Sequence, residues 1–167
     1  MNRQPWTYPV PVGQIRDGLD LTLEAEAGVR ERIARHLGLE GLDALTAQAS
    51  VKPTRDGWRL TGSLDAHVIY RCGVSLEPFP AEISEAFEVN LTETPPEPTD
   101  GDFDPEAPEP PDVIESGVID VAAYVVEQLS LALDPWPRKP GVEFEAPEPE
   151  AEPSPFAVLA KLKSKDG

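Results

Sequence analysis

The stretch from Trp58 to Arg71 alternates with a period of two along almost its whole length. Trp58, Leu60, Gly62, Leu64, Ala66, Val68 and Tyr70 are apolar or small, and Arg59, Thr61, Ser63, Asp65, His67 and Arg71 stand between them; only Ile69 breaks the pattern. Successive side chains of a strand point to opposite faces, so this run demands a sheet with one covered and one wet face. At about fifteen residues the strand exceeds the usual length, and Gly62 is the expected bending point. Its neighbours supply partners. Residues 43–52 are strand-like, and Asp56-Gly57 in the turn that follows is a strong hairpin signal. The run from Pro80 to Thr92 alternates again through Ala81, Ile83, Glu85, Phe87, Val89 and Leu91. Residues 7–12 and 20–25 read as short edge strands, the first confined to an edge by Pro9 and Pro11.

Two segments carry helical spacing instead. Over residues 27–37, Val29, Ile33 and Leu37 share one face, Arg30, Arg32 and Arg35 lie mainly on the others, and Gly38 is a natural stop. A second, central helix is expected over about 119–133, with Asp120 able to accept the unpaired N–H groups of its first turn. Val118, Val121, Ala122, Val125, Leu129, Ala132 and Leu133 form its apolar stripe, and Tyr124, Val126 and Leu131 widen it. Pro135 and Pro137 forbid continuation. The fold class that follows is α+β: a single domain over 1–167, in which an antiparallel β-sheet is packed by the central helix and an N-terminal helix.

The formal charge of −17 is unevenly spread. Residues 93–112 hold eight acids and residues 142–153 hold five, with no Lys or Arg in either, so the remainder of the chain carries only −4. Both stretches are rich in proline and poor in aliphatic residues, and burial cannot offset their ordering entropy. They read as disordered: an acidic Pro-rich insertion at 93–112 and an acidic linker at 142–153. Beyond them, residues 154–163 form a short amphipathic unit, helical by its spacing, with Phe156, Leu159, Ala160 and Lys163 on one face. At that length a helix is marginal alone, so it should dock onto this protein or a partner.

The familiar catalytic patterns are missing. Neither G-x-x-x-x-G-K-[ST] nor G-x-G-x-x-G occurs. The single cysteine, Cys72, has only His36 and His67 for a base, and strand alternation puts His67 on the opposite face. Acids in proline-rich linkers cannot be held within hydrogen-bond reach of a substrate. Neither enzyme, cofactor nor metal is expected. One cysteine suits a reducing compartment, no apolar run approaches the ~18 residues of a membrane span, and the N-terminus lacks a secretory h-region. A cytoplasmic protein without membrane contact is the expectation.

Four pieces occur together in one family. The strand ending Tyr70-Arg71-Cys72 runs into Gly73-Val74-Ser75-Leu76-Glu77-Pro78-Phe79. Ile119-Asp120 opens a helix that ends LALDPWPRKPG, and SPFAVLAKLK follows. In these the chain resembles the YceD family, the large ribosomal RNA subunit accumulation proteins, in particular its alphaproteobacterial-type branch. The resemblance implies a role in accumulation of large-subunit rRNA, and its members are often encoded beside a small basic ribosomal protein. Cys72, Ser75, Leu76, Glu77, Pro78, Phe79 and Asp120 are the motif positions. Many relatives carry C-x-x-C where this chain reads Cys72-Gly73-Val74-Ser75, and a hydroxyl in place of the second thiol is a poor ligand for soft-site zinc. The turn that remains reads as structural, with Leu76 and Phe79 packing beneath it.

The function expected is a non-enzymatic ribosome-assembly factor supporting synthesis, processing or stability of large-subunit (23S) rRNA. The alternative is an acidic, chaperone-like binder of a basic ribosomal protein. Partners would be rRNA or a pre-ribosomal particle, a basic ribosomal protein, or both. Candidate contacts are the cations and aromatics: Arg30, Arg32, Arg35, Trp136, Arg138, Lys139, Phe156, Leu159, Lys161 and Lys163.

Overall fold

A computed structural model describes residues 4–95 and 110–144 of the chain. Its centre is a five-stranded sheet in the order β2-β3-β4-β5-β6. The strands are β2 (Leu19–Glu24), β3 (Gly41–Pro53), β4 (Trp58–Arg71), β5 (Pro78–Thr92) and β6 (Asp112–Val113), and β1 (Pro9–Pro11) pairs separately with β7 (Val118–Asp120). Helices α1 (Ala27–Leu37) and α2 (Val121–Ala132) complete the α+β fold.

The alternation of β4 becomes its burial pattern. Leu60, Leu64, Ala66, Val68 and Tyr70 are buried while Arg59, Ser63, Asp65, His67 and Arg71 are exposed. Gly62 has a specific reason to lack a side chain. A Cβ there would come within 2.7 Å of the Phe87 ring and 2.6 Å of the Gln48 carbonyl oxygen, so the cross-strand Phe87 occupies the space instead. In β3 the register shifts between Leu42 and Ala44, which lets Leu42 and Leu45 both turn inward although they are three positions apart. The β3–β4 hairpin turns where expected, with the Thr54 N–H donating to the Gly57 carbonyl at 2.8 Å.

Three expectations are corrected. The sheet is not wholly antiparallel, because β6 runs parallel to β5, pairing Leu91 with Asp112 and Thr92 with Val113. Two residues are too few to show any periodicity, and Asp112 therefore belongs to the sheet rather than to an acidic insertion. Second, Val118, Ile119 and Asp120 are a strand, and α2 starts at Val121. Pairing of Val10 with Ile119 buries both, and Asp120 then turns the chain into the helix. Third, Leu131 does not widen the buried stripe of α2: it is 74% exposed. At 100° per residue it lies about 200° around the helix from the buried Leu129 and so faces outward. The buried set is Val121, Ala122, Val125, Val126 and Leu129. The expectations for residues 96–109 and for 145–163, including the amphipathic unit, lie outside the described residues.

Candidate functional site

Helix α2 begins on a double use of one carboxylate. Asp120 Oδ1 accepts the N–H of Ala123 at 3.2 Å and that of Tyr8 at 2.7 Å, so one side chain caps the helix and ties it to β1. Asp120 thus has a structural task at the helix entry.

The exit of α2 is fixed as firmly, and to the far end of β4. Tyr70, the last inward-facing residue of that strand, accepts the Asp134 N–H on its hydroxyl at 3.0 Å and stacks obliquely on Phe79, ring centres 5.7 Å apart. Asp134 Oδ1 accepts the Trp136 N–H at 2.9 Å, a short local turn that leaves the indole 81% exposed. The Pro137 carbonyl accepts the Gly73 N–H at 2.9 Å, and Lys139 Nζ donates to Glu77 Oε2 at 2.7 Å. The β4–β5 turn and the helix exit, far apart in sequence, are one interlocked unit.

Cys72 lies at the middle of this unit and is completely buried. Its sulfur accepts three backbone N–H groups, from Val74, Ser75 and Lys139, each at 3.4 Å. The Lys139 N–H is the largest cause, followed by the Ser75 hydroxyl and the Ser75 N–H; against the opposing effect of burial they lower the thiol to about 6. The group is therefore a thiolate near neutral pH, held by donors rather than by a metal-type ligand set. A soft zinc site needs several thiolate or imidazole ligands. Ser75 offers a hydroxyl that donates to the sulfur, Lys139 adds a cation, and the donor set does not fit zinc. Among the described residues no cluster of three His, Cys, Asp or Glu is placed to hold a metal ion. Among the described residues no histidine is hydrogen-bonded to the sulfur, and His67 is exposed on the other face of β4.

The same turn carries a correction. Phe79 is buried as expected, but Leu76 does not pack beneath the turn: it is 63% exposed at a φ of 61°. That left-handed conformation is unusual for a leucine. The turn needs it because the Leu76 N–H reaches back to the Cys72 carbonyl at 3.0 Å while the Glu77 carbonyl accepts the Cys72 N–H at 2.9 Å. Pro78 opens β5 beside it, exposed, in register with Arg71. Leu76, Trp136 and Arg138 are thus exposed side chains on a rigidly held loop pair, a feature that adjacent residues in sequence do not reveal.

The α1 arginines are placed differently. Arg30 turns back to donate to the Ala25 carbonyl at 2.7 Å, and Arg32 donates to the Pro5 and Gly28 carbonyls at 3.1 and 3.0 Å. Both hold the entry of their own helix, whose Glu26 N-cap makes no side-chain cap. Arg35 is exposed, and with Arg32, His36 and Trp6 it borders a cavity of about 920 Å³, a grouping with Trp6 that sequence spacing did not signal. No hydrogen bond or ion pair among the described residues joins these arginines to the Trp136–Lys139 exit. Phe156, Leu159, Lys161 and Lys163 lie outside the described residues.

A family model described as large ribosomal RNA subunit accumulation protein YceD matches residues 60–163. That span takes in β4 from Leu60 onward, the Cys72 turn, α2 and its exit. No curated protein and no solved structure matches the chain. Among the described residues no helix is long and apolar enough to cross a membrane. With more than half of the sequence matched, and with the interlocked turn and helix exit inside the matched span, the chain belongs to the YceD family of large ribosomal RNA subunit accumulation proteins.

Proposed function

We propose that this protein is a ribosome-assembly factor that supports the synthesis, processing or stability of 23S rRNA by binding rather than by catalysis. The observation that carries this reading, beside the family match, is the interlocked unit around Cys72. Four hydrogen bonds and an ion pair are spent on holding the loop that presents one exposed aromatic, Trp136, two residues before the exposed Arg138. Aromatic and guanidinium groups on a stiff loop suit stacking on an unpaired base and pairing with phosphate. The side chains of Arg35, His36 and Trp6 are a second cationic and aromatic point of the same chemistry. The rest of the chain is acidic, which suppresses indiscriminate phosphate binding.

The test replaces the chromosomal gene by one encoding W136A/R138E, two exposed positions whose change leaves the core untouched. Mature 23S rRNA should fall relative to 16S, and purified wild-type protein should retain precursor RNA with an affinity that declines as salt rises. Unchanged rRNA levels in both this strain and a deletion strain would sink the proposal.

A second reading rests on a different observation. Thirteen acids lie in two stretches free of Lys and Arg. Such stretches could shield a basic ribosomal protein before assembly, with charge complementarity giving fast encounter. Neutralising the six acids of 96–109 by Glu→Gln and Asp→Asn changes, which keeps Asp112 in β6, discriminates the two. It leaves or strengthens RNA retention under the first reading and abolishes capture of the basic protein under the second.

A further inference from the structure

A groove of about 730 Å³ runs between the end of α1, β6 and the outer side of α2. Its floor is apolar where solvent reaches it. Val113, Val118 and Leu131, exposed by 43%, 36% and 74%, are three of the seven large apolar side chains left exposed among the described residues. Its rim is acidic. Asp112, Glu115 and Glu127 line it together with the helix cap Asp120, and among the described residues no Lys or Arg does. Tyr124 reports the same environment, its hydroxyl pushed up to about 12 by burial first and then by the charges of Asp112 and Glu127. An occupant must therefore be apolar along one side and cationic at its edge.

The chain carries one segment of that chemistry outside the described residues. Residues 156–165 hold Phe156, Val158, Leu159 and Leu162 together with Lys161, Lys163 and Lys165, three of the five lysines of the whole sequence, and no acid. The stretches 96–109 and 145–153 are acidic and would be repelled by the rim. Reach is no obstacle. Eleven residues lie between Phe144, the last one described, and Phe156, a tether of about 40 Å at full extension. A domain of this size has a radius of gyration of about 14 Å, so the tether spans it. Tethering also raises the local concentration of the segment to about the millimolar range, so weak pairwise affinity suffices. The family match runs through residue 163 and so includes the β6 and α2 sides of the groove and residues 156–163 of the segment.

We propose that residues 156–165 dock in their own chain's groove between α1, β6 and α2, apolar side chains against Val113, Val118 and Leu131 and lysines against Asp112, Glu115 and Glu127. Docking of this kind is the helix-in-groove mode turned intramolecular. It covers the exposed apolar face and withdraws three lysines from other ligands until a competitor displaces the segment. The inference does not depend on whether RNA or protein is the final partner.

Hydrogen exchange followed by mass spectrometry on the full chain tests it, comparing wild type with L131R and with E127K, both at exposed positions. A segment docked nine-tenths of the time exchanges about tenfold more slowly than free chain. In wild type the amides of 156–163 should show at least that slowing, at every protein concentration. Each variant should lose it while the β3 and β4 amides remain protected, which certifies the fold. Exchange of 156–163 at the free-chain rate in wild type would overturn the proposal and leave the segment to an external partner. Protection that survives both substitutions would overturn it by placing the segment elsewhere. Protection that grows with protein concentration would overturn it in favour of a second copy as host.

Discussion

The backbone N–H of Lys139 points at the sulfur of Cys72 across 3.4 Å, although the two residues are 67 positions apart. One hydrogen bond thus joins the exit of α2 to the end of β4. Because the acceptor becomes anionic, the strength of that join depends on proton concentration.

The pH dependence has a definite sign. The ordinary thiol value is 9.0 and the folded value about 6, so between them the unfolded chain holds a proton that the folded chain has released. Stability from this group is complete above about pH 9 and is lost as pH falls through about 6. Urea denaturation from pH 5.5 to 9 should show a midpoint that rises with pH in wild type. The rise should be smaller in C72A, and equal slopes in the two proteins would contradict a folded-state thiolate.

Burial makes the same thiolate unreactive. Iodoacetamide at pH 7.5 should label Cys72 only at the rate of unfolding, so added urea should accelerate labelling steeply. Rapid stoichiometric labelling of native protein, followed by mass spectrometry, would show that the interlocked unit opens on its own.

Helix α2 offers two leucines two residues apart with opposite surroundings. Leu129 is completely buried and Leu131 is 74% exposed. L129A should cost about 2–5 kcal/mol through lost burial and a residual cavity. L131A should stay within about 0.5 kcal/mol. Denaturant titration of both variants checks the difference, and comparable costs would place Leu131 in the core instead.

Asp120 both caps α2 and holds the Tyr8 N–H. D120A should destabilise by about 1–2 kcal/mol. D120N, which keeps an acceptor oxygen, should recover most of that loss in thermal melts. An Asn variant as damaged as the Ala variant would show that charge, not hydrogen bonding, is what the position needs.

Gly57 closes the β3–β4 hairpin at a φ of 155°, and a Cβ there would overlap the Leu91 carbonyl oxygen on β5. G57A should lose on the order of 1–3 kcal/mol from the displaced backbone. The exposed turn neighbour Asp56 should tolerate alanine within about 0.5 kcal/mol. A melt series of the two variants separates a packing requirement from a mere turn preference.

What local sequence determined here is what local physics can determine. Strand alternation marked the inward residues of β4, helical spacing marked Ile33, Val125 and Leu129 as buried, and Gly38 marked the end of α1, where it takes a φ of 69°. The Asp56-Gly57 turn and the Asp120 cap were readable for the same reason: each is satisfied within a few residues of chain. The tertiary structure alone decided the rest. Val118 to Asp120 became a strand because β1 arrived to pair with it, and Asp112 joined the sheet because β5 lay alongside. The turn after β4 likewise took its meaning from a distant segment. Ser75 and Lys139 surround one sulfur, Leu76 is turned out, and Glu77 meets Lys139 only because Tyr70 and Gly73 anchor the helix exit against the strand end. No periodicity encodes such contacts, since they depend on which elements share an edge, and that is settled by the packing of the whole core.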